Sequence, residues 1–230
     1  MIVFACLSPH APIFLPDIGS KTDRQKVKKT TDALESLAPK LKAAKPDIII
    51  ISSPHEDWGI KVPLHFLSTR LLASRQSGPA WQVLNSQSIL NFKFQISNSS
   101  VLPIITSPDS PYQHYLWGKK IASEIPKKLK VAWIASGDMS HRLKENGPYG
   151  FHPSGPKFDQ IFSKLLIKKD VQGILNLNGQ LAEEAGECGL RSFCLLFGFL
   201  EGSRIKWKPE ILSYEGPFGV GYLVANLKIT

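Results

Sequence analysis

The sequence predicts an α/β chain: a single three-layer α/β/α domain over residues 1–230 with a mostly parallel or mixed central sheet. Three observations carry this. "PDIIIISSPH" is an unbroken β-branched run, as in a strand covered on both faces. Apolar runs alternate with amphipathic stretches, which is the pattern of strand–helix–strand units. At 43% hydrophobic and 20% charged, the composition is too apolar for a disordered chain.

Residues 1–7 open the chain as a strand, and a loop holding Pro9, Pro12 and Pro16 follows. From Ser20 a helix is predicted, with Val27, Ala33, Leu34, Leu37 and Leu41 at helical spacing and a kink or break at Pro39. The β-branched run is the next strand, so the first unit predicts parallel pairing through a right-handed crossover. A second unit runs from "VLPIITS" through the helix "PYQHYLWGKKIASEIPKKL" to the strand "KVAWIASGD". "PKFDQIFSKLLIKKD", "VQGILNLN" and "CGLRSFCLLFGFLEG" read as helices, and "WKPEILSYEG" and "GVGYLVANLKI" as the last strands. The stretch 60–100 reads as short strand-like pieces and loops.

No apolar run reaches the roughly 18–20 residues that span a bilayer, and the start reads as a buried strand, not a signal peptide. The expectation is a cytoplasmic protein with no membrane partner. Cys6, Cys188 and Cys194 show neither CxxC nor zinc-ribbon spacing, which argues against a disulfide framework. Cys6 and Cys194 sit in apolar runs as small core residues, whereas Cys188 has polar, glycine-rich neighbours. The net charge of +9 comes from lysines spread over helical-looking segments. Their plain reading is solvated helix faces, so no nucleic-acid partner is expected.

Function in open α/β sheets gathers where strands end. The first strand ends in "SPHAP" with His10, the β-branched strand in "SSPHEDWG" with His55, and "VAWIAS" runs into "GDMSH" with His141. Imidazole binds metals and also carries protons near neutral pH. Two histidines and one further donor, with positions left open, form a site that takes substrate or oxygen on a metal. Each loop histidine has a purely structural alternative. His65 and His114 lie in apolar or helical stretches and read as partly buried structural residues, while His152 is a candidate for the same cleft. The further donor falls in "EEAGECGLRS", where Glu187 and Cys188 open an apolar helix whose N-terminus favours an anion. The alternative there is a plain helix cap. Arg191 would hold a carboxylate or fix the loop.

The phrases "SPHAPIFLPDIG", "PDIIIISSPH", "ASGDMSHRL", "GPYGFHPSGPKFD", "AGECGLRSF" and "GPFGVGYLVA" resemble the class III extradiol ring-cleavage dioxygenase superfamily. This is the group of the LigB-type catalytic subunit, with the Memo proteins as relatives. The resemblance is strongest to small bacterial LigB-like proteins of unassigned substrate, and it covers the first 55 residues and most of 101–225. It implies a non-haem Fe(II) site with His10 and His55 as ligands, and acid–base work for His141 on a catechol-like aromatic substrate in a reaction with O2. The third ligand is left between two residues. The ring-cleaving subunit has Glu at this point, which favours Glu187, whereas the register of "ECG" matches the Memo cysteine and favours Cys188. A thiolate would shift the preference from iron to zinc or copper. A Memo-like metal-binding or redox protein without ring cleavage is therefore the alternative. Many relatives carry "DHG…VPL" in mid-chain, but here "EDWGIKVPL" puts Trp58 where that histidine is expected. The family also forms dimers and larger oligomers, so a homo-oligomer is compatible with the resemblance.

Overall fold

The computed structural model describes residues 1–67 and 101–230. Its strands are β1 (Ile2–Ser8), β2 (Ile48–Ser53), β3 (Val101–Ile105), β4 (Val131–Ser136), β5 (Trp207–Glu215) and β6 (Tyr222–Ile229). They form one mixed sheet in the order β3-β2-β4-β1-β6-β5. β1, β2, β3 and β4 run parallel, β6 pairs antiparallel with β1, and β5 antiparallel with β6.

The two strand–helix–strand units are present and parallel, but their strands are not neighbours. β4 inserts between β1 and β2, and β2 lies between β3 and β4. Each crossover therefore skips one strand, a choice that local hydrophobic pattern does not encode.

The helices are α1 (Lys21–Lys26), α2 (Lys28–Ala44), α3 (Trp58–Leu67), α4 (Pro111–Glu124), α5 (Ser154–Ile167), α6 (Val171–Leu175), α7 (Gly179–Ala185) and α8 (Leu190–Gly202). Ser20 caps α1 in a reciprocal capping box with Asp23, and Ser110 caps α4 ahead of Pro111. The expected break at Pro39 does not occur. The helix is interrupted at Val27 instead, and α2 runs unbroken through Pro39. Pro39 and Glu35 are both exposed, so water can take the Glu35 carbonyl that loses its donor. Residues 60–67, read as part of a stretch of strand-like pieces and loops, lie in the helix Trp58–Leu67; the remainder of that reading, 68–100, lies outside the described residues. No helix among the described residues is long and apolar enough to cross a membrane.

Strand alternation divides the core into two layers. Leu7, Ile50, Trp133 and Leu223 face the layer of α4, α5 and α8. Cys6, Ile51, Ile134 and Val224 face Leu34, Leu37 and Leu41 of α2 and Val62 and Phe66 of α3. α4 and α8 lie nearly backbone to backbone. A Cβ on Gly198 would stand 1.9 Å from the Tyr115 carbonyl oxygen, and one on Gly118 would stand 2.0 Å from that of Leu195. Only hydrogen fits at this crossing, and rigid backbone leaves no room to yield. Gly198→Ala should therefore destabilise the fold by about 1–3 kcal/mol, lowering Tm by several degrees in a calorimetric melt. An unchanged Tm would contradict the close crossing.

Candidate metal centre

The parallel strands deliver their carboxyl ends to one edge of the sheet. Ser8 of β1 stands beside Ser136 of β4, and Ser52 of β2 beside Ala135. The loops that leave these ends carry His10, His55 and Asp138.

His10 is 4% exposed and held at two points. Its backbone N–H donates to Asp138 Oδ1 at 3.0 Å, and its Nδ1 is paired with Ser136 Oγ at 3.0 Å. That leaves Nε2 facing the site, 3.5 Å from Cys188 Sγ and 3.9 Å from Asp138 Oδ2. Burial, helped by the neighbouring His55, lowers the His10 pKa to about 3, so the ring is neutral at physiological pH. His55 is exposed, and its ring centroid lies 5.1 Å from that of His10. The Ser53 hydroxyl fixes its turn by accepting the His55 backbone N–H.

Cys188 reaches the site because two backbones touch. A Cβ on Gly137 would stand 2.1 Å from the Gly189 Cα, so the loop after β4 and the loop before α8 cross without side chains between them. The Asp138 carbonyl accepts the Cys188 and Gly189 N–H groups, and the Asp138 N–H donates to Cys188 Sγ at 3.2 Å. Burial, reinforced by the Asp138 carboxylate, pushes the Cys188 thiol well up. Burial likewise raises Asp138 to about 6, against the pull of the His10 N–H. A bound cation would reverse the preference of the cysteine, because coordination stabilises thiolate.

The ligand atoms of His10, His55 and Cys188 lie within 4.8 Å of one another, and so do those of Asp138, His141 and Cys188. Two imidazoles, the His10 ring among them held neutral by burial, and a thiol converging on one point are a donor set that fits a metal ion. Glu187 belongs to neither group. Its Oε2 accepts the Leu190 N–H at 2.6 Å, and burial raises its pKa to about 7. The carboxylate thus caps the first turn of α8, and the neighbouring thiol turns to His10 Nε2.

His141 is set by its N–H to the Ala185 carbonyl, and its ring lies 5.0 Å from that of Tyr149. Its Nε2 is buried and has no hydrogen-bond partner among the described residues. Burial lowers its pKa. His10, His55, Asp138 and His141 all line a cleft of about 560 Å³, walled by Trp58, Tyr149, Phe218 and Tyr222. Mixed aromatic walls over a few convergent polar groups suit a small planar ligand.

Other candidates fall elsewhere. His152 turns to the Ser154 N–H and lies 3.9 Å from Glu184, and it does not line the cleft. His114 is buried between Ser110 and Ser107. His65, expected to be partly buried, is exposed on α3. Arg191 fixes a loop by donating to the Asp109 and Pro108 carbonyls. Asp138 was not singled out from the sequence, although its place directly after a strand-end glycine could have marked it. The aromatic walls were invisible because they come from distant segments.

The profile of a family described as "Catalytic LigB subunit of aromatic ring-opening dioxygenase" matches residues 56–225. The chain belongs to this family. The matched span includes His141 and Cys188, whereas His10 and His55 precede it. Protein CA_C1420 of Clostridium acetobutylicum is 31% identical to this LigB-family chain, over 96% of the chain and 56% of that protein. The chain thus spans about half the length of this relative. The crystal structure of the uncharacterized protein JW3007 from Escherichia coli K12 shares the fold, with a TM-score of 0.54 at 12% identity. That likeness covers 98% of this chain and 99% of the other. Membership places the chain in a superfamily of metal-dependent, ring-cleaving dioxygenases.

Beside the cleft, Asp159 of α5 is 2% exposed and accepts the Ser140 N–H and the Tyr214 hydroxyl at 2.8 and 2.6 Å. Burial raises its pKa to about 6 from an ordinary 3.8. A raised carboxyl pKa means that the folded state binds the proton more tightly. This group therefore costs no stability below about pH 4, and its penalty grows to about 3 kcal/mol above about pH 6. Asp159→Asn removes that dependence. The Tm difference between variant and native chain should move in the variant's favour by about 5 °C between about pH 4 and pH 7. A difference independent of pH would refute the assignment.

Proposed function

We propose that this chain is a metal-dependent oxidoreductase of the ring-opening dioxygenase type, acting on a catechol-like aromatic with O2. His10, His55 and Cys188 hold the metal ion. The observation that carries this reading is the convergence of their ligand atoms beside an aromatic-walled cleft that His10 and His55 line. When bound, Fe(II) supplies a redox-active centre that brings an aromatic diol and O2 together.

The chain's own residues prepare the substrate. Trp58, Tyr149, Phe218 and Tyr222 hold a flat ring and reduce water contact with it. His141 stays neutral near pH 7 and offers an uncommitted Nε2, so it can take a hydroxyl proton from the substrate and return it later. Asp138 holds the His10 backbone and, through its own backbone, Cys188. Glu187 maintains the start of α8 and so the position of the thiol.

A second reading is favoured by Cys188 itself. Thiolate suits zinc or copper(I) better than the carboxylate-bearing iron sites of oxygenases. On this reading the chain is a Memo-like metal-binding or redox protein without ring cleavage.

Metal analysis after anaerobic purification separates the two. His10→Ala and Cys188→Ala should lose most of the metal. Glu187→Ala should keep it while losing about 1 kcal/mol of stability, the worth of a helix cap. Metal lost with Glu187 and retained without Cys188 would reverse the ligand assignment. Iron in the native protein with coloured product from a catechol supports the dioxygenase, and zinc or copper with no product supports the second reading. In the dioxygenase case, His141→Ala should lower kcat by about 100-fold or more with metal content unchanged. An unaltered kcat would remove His141 from proton transfer.

A further inference from the structure

A subset of the cations that look dispersed along the sequence collects at the end of the sheet opposite the cleft. The parallel strands start there, β6 finishes there, and β5 begins there. Lys45 follows α2, Lys127, Lys128 and Lys130 precede β4, and Lys206 and Lys208 flank the start of β5; all are exposed. Backbone bonds fix their neighbourhood. The Lys130 carbonyl accepts from Asp47 and Ile48 at the start of β2, the Met1 carbonyl accepts from Val131, and the Lys206 carbonyl accepts from Thr230. The end of α5 joins the same edge, since Lys169 Nζ lies 4.9 Å from the centre of the Trp207 ring.

Few of these charges are neutralised. Among the described residues, the ion pairs near this edge are those of Glu210 with Lys40 and Lys228 and of Glu201 with Lys119. The Asp47 carboxylate is occupied by the Lys130 backbone N–H. The six lysines named above therefore keep their charge facing water. Ile167, 63% exposed and followed by Lys168 and Lys169, adds an aliphatic side chain to the same edge.

We propose that this edge is a peripheral docking surface for an anionic phospholipid membrane, with the cleft turned away from the bilayer. Lysines on flexible stems suit the diffuse negative potential of a headgroup layer, and an exposed aliphatic side chain can enter its outer region. A nucleic acid fits less well. Among the described residues this edge has one exposed arginine, Arg204, for bidentate phosphate contacts. Among the described residues the exposed aromatics Tyr112, Tyr149, Phe151 and Tyr214, which could stack on bases, belong to the cleft end. The contact lies on the surface and spans nothing.

Cosedimentation of the full chain with vesicles at about 0.15 M salt tests this. Vesicles of phosphatidylcholine with added phosphatidylserine should bind the native chain, and pure phosphatidylcholine should not. The triple variant Lys127→Glu, Lys128→Glu, Lys206→Glu should bind at least about tenfold more weakly. A control with the same charge change at the cleft end, Lys21→Glu, Lys28→Glu, Lys29→Glu, should stay within about twofold of native. The corresponding lysine-to-glutamine triple, compared by Tm with the native chain, separates loss of binding from loss of fold. Ile167→Asn should weaken binding without abolishing it. Equal loss in both glutamate triples, no binding of the native chain, or displacement from vesicles by an equal phosphate concentration of duplex RNA would overturn the proposal.

Discussion

The site depends on one close contact between two backbones. Gly137, at the end of β4, lies against Gly189, at the start of α8, with no space for a Cβ. Through that crossing the Asp138 backbone receives two N–H groups from the α8 loop and donates its own N–H to Cys188 Sγ. The Asp138 side chain simultaneously accepts the His10 N–H. Three segments distant in sequence are thereby held around one peptide unit. A side chain at Gly137 would push the Gly189 backbone away and so separate the thiol from the histidines.

The close packing of α4 on α8 extends this constraint. Gly118 and Gly198 allow two backbones to meet, which fixes α8 against the sheet and the direction of its first turn. Glu187 then satisfies the exposed N–H of that turn. A carboxylate used as a cap and a thiol left facing His10 are two results of one helix register. Which of the two side chains turns to His10 thus follows from helix placement as much as from residue type.

The electrostatics of the cleft favour metal binding over free acid–base groups. Burial lowers the pKa of His10 and His141 and raises those of Asp138 and Cys188. Neutral imidazoles are ready to donate lone pairs, and the acidic groups have little nearby positive charge to stabilise them. A cation supplies what that cluster lacks. At the opposite end of the sheet the imbalance is reversed, with exposed lysines outnumbering their carboxylate partners.

Sequence alone determined the elements that rest on local chemistry. β2 is written in "IIIISS", the amphipathic spacing of Leu34, Leu37 and Leu41 gives α2, and the strand-end positions of His10, His55 and His141 put all three histidines at one edge of the sheet. These follow from side-chain period and turn residues, which act over a few positions. Strand order was not determined, because insertion of β4 between β1 and β2 depends on how whole layers pack. Nor was the choice between Glu187 and Cys188, which are adjacent in sequence and face different ways only because α8 is pinned by Gly118, Gly137 and their partners. The aromatic walls and the lysine-rich edge belong to the same class. Their members are far apart along the chain, and only the tertiary structure, through backbone contacts between distant segments, brings them together.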